Sequence, residues 1–176
     1  DKVTHKKNEK LIEYKNAWLA IYNKPILYVP YFFHPDPTVK RQSGFLIPTI
    51  INSSNYGSSV QIPYYNVISE NKDLTISPRI FFDNNAIIQT EYRQVNKSSS
   101  GIIDLSINKD SSNTRTHLFS NYSGKFSNNS NIEINFERVT GDNYLKMHDI
   151  KSPLIKNKTT LNSFIKIKEI VKKDEI

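Results

Sequence analysis

Cysteine is absent from the 176 residues, so the chain holds no disulfide framework, no thiolate nucleophile and no cysteine-ligated zinc. It also lacks any run of about 18 apolar residues, which excludes a transmembrane helix. A β-barrel is untouched by that test, because its crossing segments are short and alternate in polarity. The four histidines, His5, His34, His117 and His148, are scattered, with no HExxH pair and no second ligand at useful spacing. Ser43-Gly44 lacks the GxSxG frame of a hydrolase elbow. Catalysis has no foothold in the sequence, and no cofactor is expected. The chain starts at Asp1 and stops in a strand-like run, so it reads as an excerpt of a longer protein. The missing signal peptide therefore carries no information.

What is abundant is Lys, Asn, Ile and Ser, with a formal charge of +7 and a pI near 9.4. Such a charge suits nucleic acid, an anionic lipid surface or plain solubility. A nucleic-acid surface needs basic and aromatic residues gathered on one sheet face. Here Arg79, Arg93, Arg138, Lys166 and Lys168 are spread over distant strands and interleaved with acids. Asn-x-Ser/Thr triplets, as at Asn121 and Asn157, arise by chance in so Asn- and Ser-rich a chain.

The organising stretch is Tyr28 to Asn66, YVPYFFHPDPTVKRQSGFLIPTIINSSNYGSSVQIPYYN. Before it, VTHKKNEKLIEY carries a polar turn between two β-prone runs, and KNAWLAIYNKPILYVPYFF gives two aromatic-rich strands broken near Asn23 and Pro25. Pro25 and Pro30 interrupt any helical register. Trp18, Tyr22, Tyr28, Tyr31, Phe32 and Phe33 form an aromatic cluster that reads either as a sandwich core or as an apolar groove for acyl chains. In HPDP, Pro35 and Pro37 fix φ and Asp36 caps, so His34 and Asp36 read as a rigid turn. Lys40, Arg41 and the Ser43-Gly44 hinge complete the junction.

From Gly44 onward, runs of about ten residues alternate with small polar turns, the spacing of membrane-crossing strands. Strands are expected near 44–52, 57–67, 72–83, 85–96, 101–109, 114–123, 131–140 and 159–171. Alternation is clearest where Leu74, Ile76, Ile80 and Phe82 oppose Asp73, Thr75, Ser77 and Arg79, where Ile103, Leu105 and Ile107 oppose Asp104, Ser106 and Asn108, and where Ile132, Ile134 and Phe136 oppose Asn131, Glu133, Asn135 and Glu137. One face is apolar and the other wet. A soluble sheet with one solvated face gives the same pattern. If the strands cross a membrane, the loops near 52–56, 83–85, 110–113 and 141–158 share the outer side, and the long 141–158 connection lies outside. Pro48 and Pro63 fall inside the first two of these strands, where each removes a ladder donor and either weakens the seam or makes a bulge. Pro78, in the third, is given no role.

The motifs HPDPTVKRQSGFLIP, IPYYN, DLTISPRI and TEYRQV, in this order and spacing across roughly Val3 to Asp149, resemble the LPS-assembly outer-membrane protein family LptD, also called OstA or Imp, and most closely its alphaproteobacterial members. The resemblance implies an all-β antiparallel meander forming part of a transmembrane β-barrel, preceded by the last strands of a periplasmic β-jellyroll. Residues 1–33 would end the jellyroll, 34–44 would be the junction, and 45–176 would begin the barrel. It implies lipopolysaccharide transport without enzyme activity, with acyl chains passing from jellyroll to membrane and sugars through the lumen. It also implies an LptE-like plug lipoprotein, an LptA-like periplasmic bridge driven by an inner-membrane ATPase, and a lateral gate at which Pro48 and Pro63 occupy the matching places. A soluble carbohydrate-binding β-sandwich and a general porin are the alternatives.

Overall fold

The computed structural model describes residues 2–21, 23–38, 41–53, 57–82, 85–109, 113–127, 129–155 and 159–169. Tyr22, Lys40 and Asn157, and the turn tips 54–56, 83–84 and 110–112, lie outside that set; of His34 and Pro35 the backbone alone is described.

Two antiparallel sheets account for the strands. In the first, β1 (Lys2–Lys6), β2 (Leu11–Ile21) and β3 (Lys24–Pro35) pair in chain order. Asn23 turns the β2–β3 hairpin at a φ of 62°, a region that Asn tolerates better than most residues. Of the two readings of the aromatic cluster, a sandwich core and an apolar groove, exposure of the rings disagrees with the first. Trp18, Tyr28 and Tyr31 are exposed, because three strands alone cannot cover both of their own faces.

The second sheet is a long meander. It comprises β4 (Gly44–Phe45), β5 (Thr49–Ser53), β6 (Gly57–Gln61), β7 (Tyr64–Ser69), β8 (Lys72–Phe81), β9 (Ala86–Val95), β10 (Ser99–Lys109), β11 (Thr114–Ser127), β12 (Ser130–Val139) and β13 (Phe164–Glu169). Each strand from β8 to β13 pairs with the next along the chain, and β8 is flanked on its other side by β6 and β7. Strands β8 to β10 and β12 run 10 or 11 residues, the length a tilted strand needs to cross a bilayer.

The two strands expected at 44–52 and 57–67 are each broken, at Pro48 and Pro63. The last expected strand is shorter, with described pairing over Phe164–Glu169. The long 141–158 connection folds back over the polar face of the sheet through residue 155. Gly141, at a φ of 91° that other residues rarely adopt, starts this reversal, and α1 (Tyr144–Met147) follows. Its Tyr144, Leu145 and Ile150 pack with Phe119 into a small buried cluster, bordered by Val139, Leu154 and Ile155.

The burial pattern is inverted relative to a protein in water. On β10, Asp104, Ser106 and Asn108 are 0%, 1% and 0% exposed, while Ile103, Leu105 and Ile107 are 41%, 38% and 43% exposed. The same side of the meander presents Ile76, Ile80, Ile88, Leu118, Tyr122, Phe136, Ile165 and Ile167, all exposed. A sheet half-covered in water would bury the isoleucines and solvate the aspartate. An apolar band this wide marks a lipid-facing or interaction surface. Replacing Leu105, near the middle of β10, by Arg in the parent protein is expected to cost about 2–4 kcal/mol of folding into lipid vesicles, as charges near a barrel's midplane do. A change within about 0.5 kcal/mol, typical of a water-exposed site, would contradict a lipid-facing role for this band.

Candidate functional site: a clasped junction and an interrupted first strand

The junction is held at both ends. Its first half is tied to the small sheet: Asp36 N–H donates to the Lys10 carbonyl at 2.9 Å, and the Asp36 carboxylate accepts from Thr38 N–H and Thr38 Oγ1, each at 2.8 Å, and meets His5 Nε2. Its second half is tied to the meander. Arg41 reaches Asp73 Oδ2 at 2.7 Å, Tyr65 OH at 3.2 Å and the Glu70 carbonyl. Asp73, nearly buried, is shared with Arg93 Nε at 2.7 Å. Ser43 Oγ accepts Val67 N–H at 2.8 Å and donates to Asn66 at 3.3 Å, and Gly44 pairs with Tyr65 in the ladder. Gln42 spans the two halves by donating to the Glu9 carbonyl at 3.4 Å.

Aromatic rings join the sheets along a second line. Phe45 on β4 lies 5.7 Å from Phe32 and 6.0 Å from Phe33 of β3, and 5.0 Å from Tyr64 of β7. Phe32 also packs on Tyr14 at 5.8 Å, and farther along the hairpin Trp18 meets Tyr28 at 5.1 Å. An apolar path thus runs from the open small sheet to the exposed apolar face of the meander. The sequence showed the aromatics but not this continuity, which needs Phe45 to close the gap.

The prolines sit where the first strand is loosest. Gly44 and Phe45 pair with Tyr65 and Tyr64, whereas Thr49 pairs with Gln61, so the register slips by one between them. Leu46 N–H donates to the Pro63 carbonyl at 2.8 Å, leaving Ile47 and Pro48 together opposite Ile62, a β-bulge. An antiparallel pair of this kind exchanges two bonds. Pro63 has no N–H to return to Leu46, so that pair keeps one. One strand over, Ile62 N–H donates to the Pro78 carbonyl at 3.0 Å, and Pro78 likewise returns nothing. Pro78 therefore lies across Ile62 from the Ile47-Pro48 bulge and one step from Pro63, a juxtaposition that sequence spacing did not expose because it depends on register.

On the polar face, Ser106 Oγ is 2.6 Å from His117 Nδ1 and 2.9 Å from Tyr144 OH, and His117 Nε2 lies 3.3 Å from Asp104. Asp104 also accepts from Gln89, which donates to the Lys151 carbonyl at 2.8 Å. Arg79 donates to Ser59 at 2.8 Å and to the His148 carbonyl. These groups fasten the 141–155 segment to the sheet. The serine, histidine and aspartate are sealed beneath Tyr144, and their contact was invisible while the histidines were read as scattered.

The fold and junction define a class: the wall of a membrane β-barrel, apolar outside and polar inside, entered through a clasped elbow from a smaller β-sheet. The family profile described as "LptD protein" matches residues 12–149. The chain is 33% identical over 153 residues to the LPS-assembly protein LptD of Pseudoalteromonas translucida, covering 82% of this chain and 20% of that protein. It is 29% identical over 150 residues to that of Pseudoalteromonas atlantica, with the same coverage of 82% and 20%. With that of Chromobacterium violaceum the identity is 33% over 132 residues, 73% of this chain and 17% of the relative. The chain belongs to the LptD family, and spans about a fifth of the length of the first two of these relatives.

Hydrogen bonds from the Thr38 amide and hydroxyl, with His5 beside them, hold the Asp36 carboxyl down at about 2. A depressed folded-state value means that its stabilisation is complete above the ordinary value of about 3.9 and is lost as pH falls through about 2. A titration of ¹³C-labelled Asp carboxyls in the parent protein should find one group near 2. Asp36→Asn should remove that titration and speed trypsin cleavage at Arg41 several-fold at neutral pH. Cleavage at the wild-type rate would contradict the clasp.

Proposed function

We propose that this chain is the elbow of a lipopolysaccharide exporter in the outer membrane of a Gram-negative bacterium. Residues 1–33 end a periplasmic β-jellyroll, 34–44 orient it, and 45–176 begin the barrel wall. The observation that carries this reading is the apolar path from the small sheet through Phe32, Phe45 and Tyr64 to an outward apolar face whose reverse is polar. Acyl chains follow that path into the membrane without entering the polar lumen, while the sugars take the lumen. The work is passage, with no bond made or broken. A soluble carbohydrate-binding sandwich fits poorly, since it would expose Ile103, Leu105 and Ile107 to water while hiding Asp104. A general porin would have no use for the clasped elbow. The partners that fit are an LptE-like plug lipoprotein, an LptA-like periplasmic bridge and the outer-membrane lipids.

Pro48 and Pro63 make the first strand easy to part from its neighbours, and we assign that strand to a lateral gate. In support, the Leu46/Pro63 pair keeps a single bond and the strand bulges at Ile47 and Pro48. Substituting residues that donate to the ladder at both positions would restore up to two bonds of about 1 kcal/mol each. That lowers the open fraction roughly thirtyfold. In cells carrying the intact parent protein, the double substitution should slow delivery of newly made lipopolysaccharide to the surface, followed by outer-leaflet labelling, with protein levels unchanged. Delivery at the wild-type rate would remove the gate assignment. Depletion of the parent protein should stop delivery altogether while other barrels still assemble. Continued delivery would remove the transport reading itself.

A further inference from the structure

At the end of the meander that carries the 96–98 turn, the polar face opens into a groove of about 550 Å³. Ladder register sets its floor. Lys125, Asn131 and Lys168 face one another across β11, β12 and β13, and one step along the strands Ser123, Glu133 and Lys166 do the same. Adjacent strands lie about 4.8 Å apart, so the Cα atoms of Lys125 and Lys168 are separated by roughly 10 Å. Lysine stems are long enough for their ammonium groups to converge on one anion between them. Lys97 adds a fourth cation from the turn, which the Lys125 N–H bond to the Ser98 carbonyl at 3.1 Å holds against the groove.

Among the described residues Glu133 is the single carboxylate lining the groove, and no carboxylate lies within 4 Å of any of the four ammonium groups. Four cations against one anion leave an uncompensated charge of about +3. The remaining polar lining consists of hydroxyls and amides: Ser100 and Ser123 hold each other at 3.0 Å, beside Asn96 and Asn131. Ammonium groups suit a phosphoryl group as point charges. Neutral hydroxyls and amides suit sugar hydroxyls, which a bare anion does not have.

We infer that this groove binds a phosphorylated saccharide, Lys125, Lys166 and Lys168 taking the phosphate and the serine and asparagine side chains the sugar. The inference rests on the transport reading for its source: the phosphorylated sugar headgroup of lipopolysaccharide, caught at the mouth of the lumen as its acyl chains leave along the outer path. The four cations, not the wall as a whole, then select for phosphorylated substrate.

The test uses the full parent protein with its natural partner in neutral detergent, and isothermal titration with three probes: a bisphosphorylated glucosamine disaccharide, the same disaccharide without phosphate, and inorganic phosphate. The bisphosphorylated probe should bind at least tenfold tighter than either of the others and weaken as salt is raised. Lys125→Gln, Lys166→Gln and Lys168→Gln together should remove that advantage, while the corresponding triple Lys→Arg variant keeps the affinity within about threefold. Heat-modifiable migration on gels confirms that each variant is folded. Equal affinity of the triple Gln variant and wild type overturns the site. Equal binding of the unphosphorylated disaccharide overturns the role of the phosphate, and equal binding of inorganic phosphate overturns that of the sugar. The transport reading fails separately, through continued surface delivery after depletion, so the two failures are told apart.

Discussion

A strand in hydrocarbon has no water to satisfy its amides, so each N–H and C=O must find a partner on a neighbouring strand. In the meander, β8 to β12 meet this demand with ladders on both sides, in register over nearly their whole length. The demand is relaxed in the band where Pro63 and Pro78 each return no bond and the first strand bulges at Pro48. A break of that kind is costly in the middle of a wall and, under the proposed gate, useful at its first strand. The position of the prolines therefore matters more than their number.

The same demand shapes the polar face. Asp104, Arg79 and His117 are buried in a protein whose apolar side chains are exposed; Arg79 reaches the His148 carbonyl of the segment that folds back from Gly141 directly, whereas Asp104 and His117 are tied to that segment through Gln89 and Ser106. Burying a charge without such partners is expensive. The segment thus serves both as a cover over the wall and as the means by which the wall tolerates its own polar residues. At the opposite end of the sheet no described segment folds over the polar face, and the lysine groove is open. The cover at one end and the uncompensated charge at the other divide the polar face into a closed part and an open one.

Much of this was legible in the sequence. Period-two alternation named the two faces of β8, β10 and β12 correctly, because strand geometry leaves no other choice once a strand is granted. Which face meets lipid was not legible, since a solvated sandwich writes the same pattern. Burial decided it, through Asp104 hidden beside Leu105 exposed. The junction was visible as HPDP and Lys40-Arg41, but Asp73, which receives Arg41 from 32 positions away, carried no local signal. The interruptions at Pro48 and Pro63 were read as weak points inside continuous strands; register turned them into a bulge and a half-bonded pair. The inward fold of residues 141–155 escaped notice because its packing on Phe119 and Ser106 is wholly nonlocal.

The central claim is that one face of the meander lies in lipid and the other in a polar lumen. Nitroxide labels placed singly at Ile103, Leu105, Leu118, Ser120, Asn121, Tyr122 and Ser123 of the parent protein in lipid bilayers test it most directly, by relaxation with oxygen against a water-soluble nickel reagent. The account predicts oxygen access at 103, 105, 118, 120 and 122, and much lower oxygen access at 121 and 123. Nickel access throughout, with no alternation between 120 and 123, would contradict it.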